Sequence, residues 1–147
     1  VVNEQKLREC DSLGYVKLDI KDRPAEWELL AIPAVIDSTL AIDQKAYDET
    51  WKVYDDLAPI TSRYHKRLIL VMPPVYKTYQ ESIDPIVLND IYQFVGKLQQ
   101  KYPTIEFHEN LFDKRFTADD FQDSSHLNEA GAIKYSRILA DIIYPHK

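Results

Sequence analysis

The chain has 147 residues, 45% of them hydrophobic and 29% charged, which is the size and composition of one ordinary globular domain spanning 1–147. Its formal net charge of −6 argues against nucleic acid as a partner, because binding to phosphates needs basic patches. No apolar run approaches the roughly 20 residues that a membrane-spanning helix needs, and the polar start is not a signal peptide, so no membrane segment is predicted.

The first 42 residues carry the weakest structural signals. Residues 15–20 alternate loosely between apolar and polar side chains, which predicts a strand. Residues 25–42 are apolar and helix-like, but Pro33 interrupts them. Because proline inside a helix removes a hydrogen bond and clashes with the preceding turn, this segment is predicted to be broken or kinked.

From residue 43 the signals become regular. Asp43 is a plausible helix cap, apolar residues recur at helical spacing from 47 to 58, and Pro59 is predicted to end that helix. Residues 67–72 form a short apolar run closed by Pro73 and Pro74. Such a run is typical of a parallel strand that helices cover on both faces.

The second half repeats this order. Asp84 followed by Pro85 predicts the start of a helix that continues to about residue 102. Residues 104–108 read as a second strand, and a polar and aromatic loop over 109–127 follows. Asn128 is predicted to cap a last helix, which Pro145 stops. Alternating helices and strands predict an α/β fold with a parallel sheet, whose working loops follow the carboxyl ends of the strands.

The second of those loops contains the residues best suited to chemistry. Asp123 and His126 lie three positions apart just before the last helix. A carboxylate can accept the N–H of one imidazole nitrogen, and the other nitrogen can then take a proton from a hydroxyl nucleophile. The alternative is structural: Asp123 caps local backbone amides and His126 is a half-buried polar residue. The spacing by itself is short and common, and leaves both interpretations open.

A longer pattern surrounds this pair. The segment D-S-S-H-L-N-E-A-G-A over residues 123–132 resembles the last block of the SGNH (GDSL-like) hydrolases, whose triad Asp and His stand as D-x-x-H. The run L-I-L-V-M-P-P-V-Y over 68–76 is similar to the segment that precedes their substrate-side loop. The resemblance is strongest over 43–144. It implies a three-layer α/β/α, flavodoxin-like fold and an esterase or acyltransferase with Asp123 and His126 as catalytic residues.

The nucleophile does not fit that family pattern. The family serine belongs in a G-D-S-L turn after a buried first strand, whereas C-D-S-L-G over residues 10–14 follows a polar stretch. Ser12 is therefore retained only as a candidate catalytic serine, with an ordinary turn as its alternative. The sheet is expected to be incomplete at the amino end, with the nucleophile upstream of Val1 or absent. The rival function is a non-catalytic relic that binds a ligand or a partner.

The remaining expectations concern ligands and partners. Residues 73–79 are predicted to form the first of the working loops, and they contain Tyr76 and Tyr79, which could stack on a sugar or cover an acyl group of a small-molecule or carbohydrate ester. The resemblance is closest to bacterial branches that act on acylated envelope sugars or polymers, in the cytoplasm or the cell envelope. An incomplete sheet would expose an edge through which two copies could form a homodimer.

Metals and cofactors are not predicted. Cys10 is the single cysteine, which excludes a multi-cysteine zinc site, and the three glycines cannot form a nucleotide-binding loop. Asp119, Asp120 and Asp123 lie near His126, but the cluster has neither an EF-hand pattern nor a second histidine.

Overall fold

The computed structural model describes residues 20–32 and 44–144. Predictions for 15–19 and 33–43, and those for Cys10 and Ser12, lie outside these ranges. The described elements are the helices α1 (Gln44–Arg63), α2 (Lys77–Ser82), α3 (Pro85–Lys101) and α4 (Glu129–Ile143), and the strands β1 (Leu68–Met72) and β2 (Ile105–Glu109). Short 3-10 turns occupy Ile20–Asp22, Trp27–Leu29 and Ala118–Asp120.

The two strands pair in parallel, as predicted. Leu68 is in register with Ile105, and Met72 with Glu109, so both strands end at the same edge. The prediction that β1 is buried on both faces is wrong: its residues are half-buried and Val71 is 39% exposed. Side chains alternate between the two faces of a strand, and Leu68 and Leu70 pack against the core on one face, whereas Val71 lies on the other face, which the described elements leave partly open.

An apolar core joins α1, α3 and β2. Ala58, Leu98 and Ile105 are buried together, and Leu98 is fully inaccessible to solvent. Beside them Phe94 of α3 contacts an aromatic group on α1 with ring centroids 5.2–5.8 Å apart, formed by Tyr47, Trp51 and Tyr54. The predicted helical spacing of these α1 residues therefore does mark the face that packs on the core.

The predicted end of α1 at Pro59 is wrong, since the helix continues to Arg63. Because proline has no N–H, Pro59 removes one helical hydrogen bond, but this loss does not end the helix here. The helix ends instead at a Schellman motif, in which the His65 amide donates to the Ser62 carbonyl at 3.1 Å and the Lys66 amide to the Thr61 carbonyl at 2.8 Å. His65 takes the positive φ of 51° that this motif requires.

Both predicted amino-terminal caps are present. Asp84 accepts a hydrogen bond from the Ile86 amide at 2.8 Å, with Pro85 at the first helical position. Asn128 accepts from the Gly131 amide at 3.1 Å. One correction concerns the loop predicted over 73–79: it is shorter, because α2 begins at Lys77 and contains Tyr79.

The architecture is thus mixed α/β, with a two-stranded parallel sheet and four α-helices in the described ranges. Among these residues, no helix combines the length and the apolar character needed to cross a membrane.

Candidate functional site

The segments that follow the two strands are joined to each other at the carboxyl edge of the sheet. The Asn110 amide donates to the Met72 carbonyl at 3.0 Å. Beyond it, the Tyr76 amide donates to the Ser124 carbonyl at 2.9 Å. The loop after β1 and the loop that carries the D-x-x-H sequence are therefore neighbours, as the topology predicted.

The D-x-x-H sequence folds into a closed turn around the carboxylate of Asp123. The backbone amides of Ser125 and His126 each donate to Asp123 Oδ1 at 2.8 Å. The Gln122 amide donates to the His126 carbonyl at 2.8 Å and closes the turn. Asp123 therefore does cap local amides, which is the structural role considered above, and this capping also fixes where its carboxylate lies.

The same carboxylate contacts the imidazole of His126. His126 Nδ1 lies 2.9 Å from Asp123 Oδ2 and 3.0 Å from Oδ1. An ionised carboxylate only accepts hydrogen bonds, so Nδ1 carries the proton in this pair. A neutral imidazole then has an unprotonated Nε2, which is the form that can act as a base. The His126 side chain is 69% exposed, so solvent reaches the ring.

Asp123 stays ionised over the range in which such a base works. Burial by itself raises its pKa, but the hydrogen bonds from the His126 side chain and from the Ser125 and His126 amides together lower the pKa to about 2, from the ordinary 3.8. The electrostatics of the turn therefore favour a permanent negative charge beside Nδ1.

Two serines adjoin His126, and neither is placed as its nucleophile. Ser125 Oγ lies 2.9 Å from Nδ1, on the side of the ring that Asp123 occupies, and 3.1 Å from Asp123 Oδ1. Ser124 is fully buried, and its hydroxyl has no hydrogen-bond partner among the described residues. Ser12 lies outside the described ranges, so its distance from His126 is not defined.

The tyrosines predicted to bind substrate occupy different settings. Tyr76 packs against Trp27 and Phe121, with ring centroids 4.5 and 5.6 Å away, so much of its aromatic surface contacts the protein itself. Tyr79 is half-buried in the short helix α2, beyond the loop. Substrate binding by both residues stays a prediction.

Sequence reasoning missed the segment that holds the loop from the other side. The Trp27 carbonyl accepts the Ser124 amide at 3.1 Å. Arg23 Nη1 donates to the carbonyls of Ala118 and Phe121 at 2.6 and 3.1 Å, and its guanidinium lies 4.1 Å from the centre of the Trp27 ring. The sequence signal that could have pointed to this segment is Trp27 itself, a large aromatic residue in a weakly patterned region, and the structure shows it buried.

The base of the loop is anchored to α4 by buried polar groups. Asn128, 1% exposed, donates from Nδ2 to the carbonyls of Asp119 and Phe121 at 2.7 and 3.3 Å. Asp120 is buried and accepts from the Thr117 amide and from Lys134 Nζ, both at 2.8 Å. These groups are committed to the fold, and the described part of the chain contains no group of three or more His, Cys, Asp or Glu placed to hold a metal ion.

Comparisons with protein-family models, with curated proteins and with solved structures found no match to this chain. The function proposed below therefore depends on the residues and geometry described here.

Proposed function

We propose that this chain is an SGNH-type ester hydrolase or acyl-transfer domain in which Asp123 orients His126 and His126 is the general base. The observation that carries the proposal is the contact of His126 Nδ1 with both oxygens of Asp123, at 2.9 and 3.0 Å, on an imidazole that remains accessible to solvent. The D-x-x-H-L-N pattern supports it. The three-layer flavodoxin-like fold belongs to the same proposal, with β1 and β2 as two strands of its sheet.

The chemistry follows from the protonation states. Nε2 takes the proton of a serine hydroxyl as its oxygen attacks the ester carbonyl, and the imidazolium then donates that proton to the departing alkoxide. Asp123 remains ionised and stabilises the imidazolium through Nδ1. Water or an acceptor hydroxyl releases the acyl group by the reverse sequence. The proposed substrate is a small-molecule or carbohydrate ester.

The nucleophile in this proposal comes from outside residues 20–32 and 44–144. Ser125 approaches Nδ1 instead of Nε2, and Ser124 is enclosed, which removes both from consideration. The family order places the nucleophile near the amino end, so the candidates kept here are Ser12 and a serine encoded upstream of Val1. Because the sequence around Ser12 lacks the family turn, we expect the upstream source.

The test compares hydrolysis of short p-nitrophenyl esters by this chain and by a version extended upstream as far as its gene allows. We expect little or no activity from the 147-residue chain, and no change in it on Ser12→Ala. The extended protein should be active and should lose about a thousandfold or more of kcat/KM on His126→Ala. His65→Asn is the matched control, because His65 lies at the end of α1 and asparagine tolerates its positive φ.

Two results would count against the proposal. An extended protein that hydrolyses esters equally well with His126→Ala would remove the general-base role. An inactive extended protein would favour the alternative, a non-catalytic relic that binds a ligand or partner. An observation on the side of that alternative is that the Ser125 hydroxyl contacts Nδ1 of the ring, which is the wrong nitrogen for catalysis.

A further inference from the structure

The helix α1 has more apolar surface than residues 20–32 and 44–144 cover. At about 100° of rotation per residue, the residues that pack on the core lie on one face of the helix. That face consists of Tyr47, Trp51, Tyr54, Ala58 and Thr61. A second apolar row is centred roughly 100° further around the axis. Polar and charged side chains occupy most of the remaining surface.

The second row, called here the uncovered stripe, consists of Val53, Leu57, Ile60 and Tyr64. All four side chains are exposed, from 37% at Leu57 to 64% at Tyr64. Their successive spacings of four, three and four residues are those of the seam of a coiled coil, in which each side chain fits between side chains of a facing helix. This pattern on an exposed face is typical of a helix that packs against another helix.

Charges of opposite sign border the stripe along one side. Asp56 and Arg63 are exposed and lie two helical turns apart on that side. The other side is formed by Tyr54 and Thr61, which are partly buried in the core of the same chain. One border is therefore charged and the other is apolar or neutral.

We propose that the uncovered stripe docks a second copy of this chain, with the two α1 helices antiparallel about a two-fold axis. In this arrangement Leu57 of each copy lies against Ile60 of the other, and Val53 against Tyr64. The two-fold axis brings the charged borders of both helices to the same side. Asp56 of each copy then faces Arg63 of the other, and the stripe is complementary to itself in shape and in charge.

The charge pattern favours a second copy of the chain as the partner, and it favours antiparallel over parallel packing of the two α1 helices. A parallel pair would set the charged border of each helix against the Tyr54–Thr61 border of the other, where no opposite charge is available. Because a single pair of helices buries less than the roughly 1,600 Å² of a standard interface, we expect a dissociation constant in the micromolar range.

The first experiment is sedimentation equilibrium of the full chain over a concentration series. The expected result is a reversible monomer–dimer equilibrium. Leu57→Asp and Ile60→Asp, each of which places a carboxylate in the seam, should leave monomer only. Ile86→Asp is the matched control, because Ile86 is an equally apolar and 69% exposed residue at the start of α3, away from the stripe; it should dimerise like the original chain.

The second experiment reverses charges outside the seam, where folding is not at risk. Asp56→Arg and Arg63→Asp should each weaken the dimer about tenfold, since two attractive pairs become repulsive. Mixing these two variants should restore association, and the double variant should dimerise within about threefold of the original. These outcomes are specific to the antiparallel pairing.

The outcomes that overturn the proposal are equally defined. A chain that stays monomeric up to about millimolar concentration has no such interface. A dimer that survives Leu57→Asp uses another surface, such as the sheet edge. A dimer that Leu57→Asp abolishes but the charge exchange does not restore has a different helix direction, and the proposed geometry is wrong.

Discussion

The buried residues around the D-x-x-H turn differ in kind from those beneath α1. Asp120, Ser124 and Asn128 are the buried polar residues of the described ranges, and all three lie in or beside the turn. Beneath α1 the buried cluster consists of Ala58, Leu98 and Ile105, all apolar. One region is held by directional hydrogen bonds to backbone carbonyls and amides, and the other by side-chain packing.

The two kinds of interaction serve different purposes: hydrogen bonds position individual groups, whereas apolar packing holds helices and strands together. Hydrogen bonds fix distances and angles, so the turn can hold the Asp123 carboxylate against His126 although His126 itself is exposed. Apolar packing determines which face of a helix points inward but sets no precise distances or angles. In addition to its packed face, α1 carries a second apolar row at the surface. The region for which we propose chemistry is polar inside, and the region for which we propose association is apolar outside.

The largest loss of stability is expected at Gly131, which makes a close contact with the backbone of the polar region around the D-x-x-H turn. A Cβ at this position would lie 2.0 Å from the Asp120 carbonyl oxygen, which is backbone and cannot rotate away. We expect Gly131→Ala to reduce the free energy of unfolding by about 3 kcal/mol, measured by urea denaturation. Gly96→Ala on α3 has no atom within 4 Å of the new methyl and should instead stabilise by about 0.5–1 kcal/mol. Similar losses for both variants would contradict the close packing at Gly131.

The two helix caps provide a finer comparison. Asn128→Ala removes one accepted and two donated hydrogen bonds at a site that is 1% exposed, and leaves the amide of the buried Gly131 without its acceptor. Asp84→Ala removes one bond, to the Ile86 amide, at a partly exposed helix start. We expect losses of about 2–3 and about 1 kcal/mol, respectively, in urea denaturation. Equal losses would show that Asn128 acts only as a cap.

The sequence was a good guide to regular elements and to local chemistry. Periodicity located α1, β1, α3, β2 and α4 because each depends on nearby residues. It misjudged the end of α1, because the Schellman motif at His65 prevails over the proline signal. It also overestimated the burial of β1, because the burial of a strand depends on which elements pack on its two faces, and no pattern within five residues encodes those elements.

The candidate site shows the same division. The Asp123–His126 contact was predictable because three residues in a turn leave few geometries. The contacts of Arg23 and Trp27 with the loop were not predictable, since about 100 residues separate Arg23 from the carbonyls to which it donates. Contacts over such separations depend on the tertiary fold, and no sequence pattern around Arg23 indicates them.

The smallest expected effect concerns the charge of Asp123 and depends on pH. Its pKa of about 2 lies below the ordinary 3.8, so the ionised form is bound more tightly in the folded state than in the unfolded state. That stabilisation is complete above about pH 4 and is lost as the pH falls through 2. Compared with Asp123→Asn, the original chain should be more stable by at most about 2 kcal/mol at pH 5, because solvent screens part of the interaction, and the difference should shrink towards pH 2.

A second variant identifies the source of this stabilisation. The His126 side chain contributes the largest of the hydrogen bonds that lower the pKa of Asp123, and the two backbone amides contribute the rest. In a His126→Ala background the pH-dependent effect of Asp123→Asn should therefore fall but not vanish, because the amides of the turn still favour the carboxylate. Urea denaturation from pH 2 to 6 measures the effect in both backgrounds. An effect that is unchanged without the imidazole would mean that Asp123 serves the turn alone, and that its contact with His126 contributes nothing to the polar region's stability.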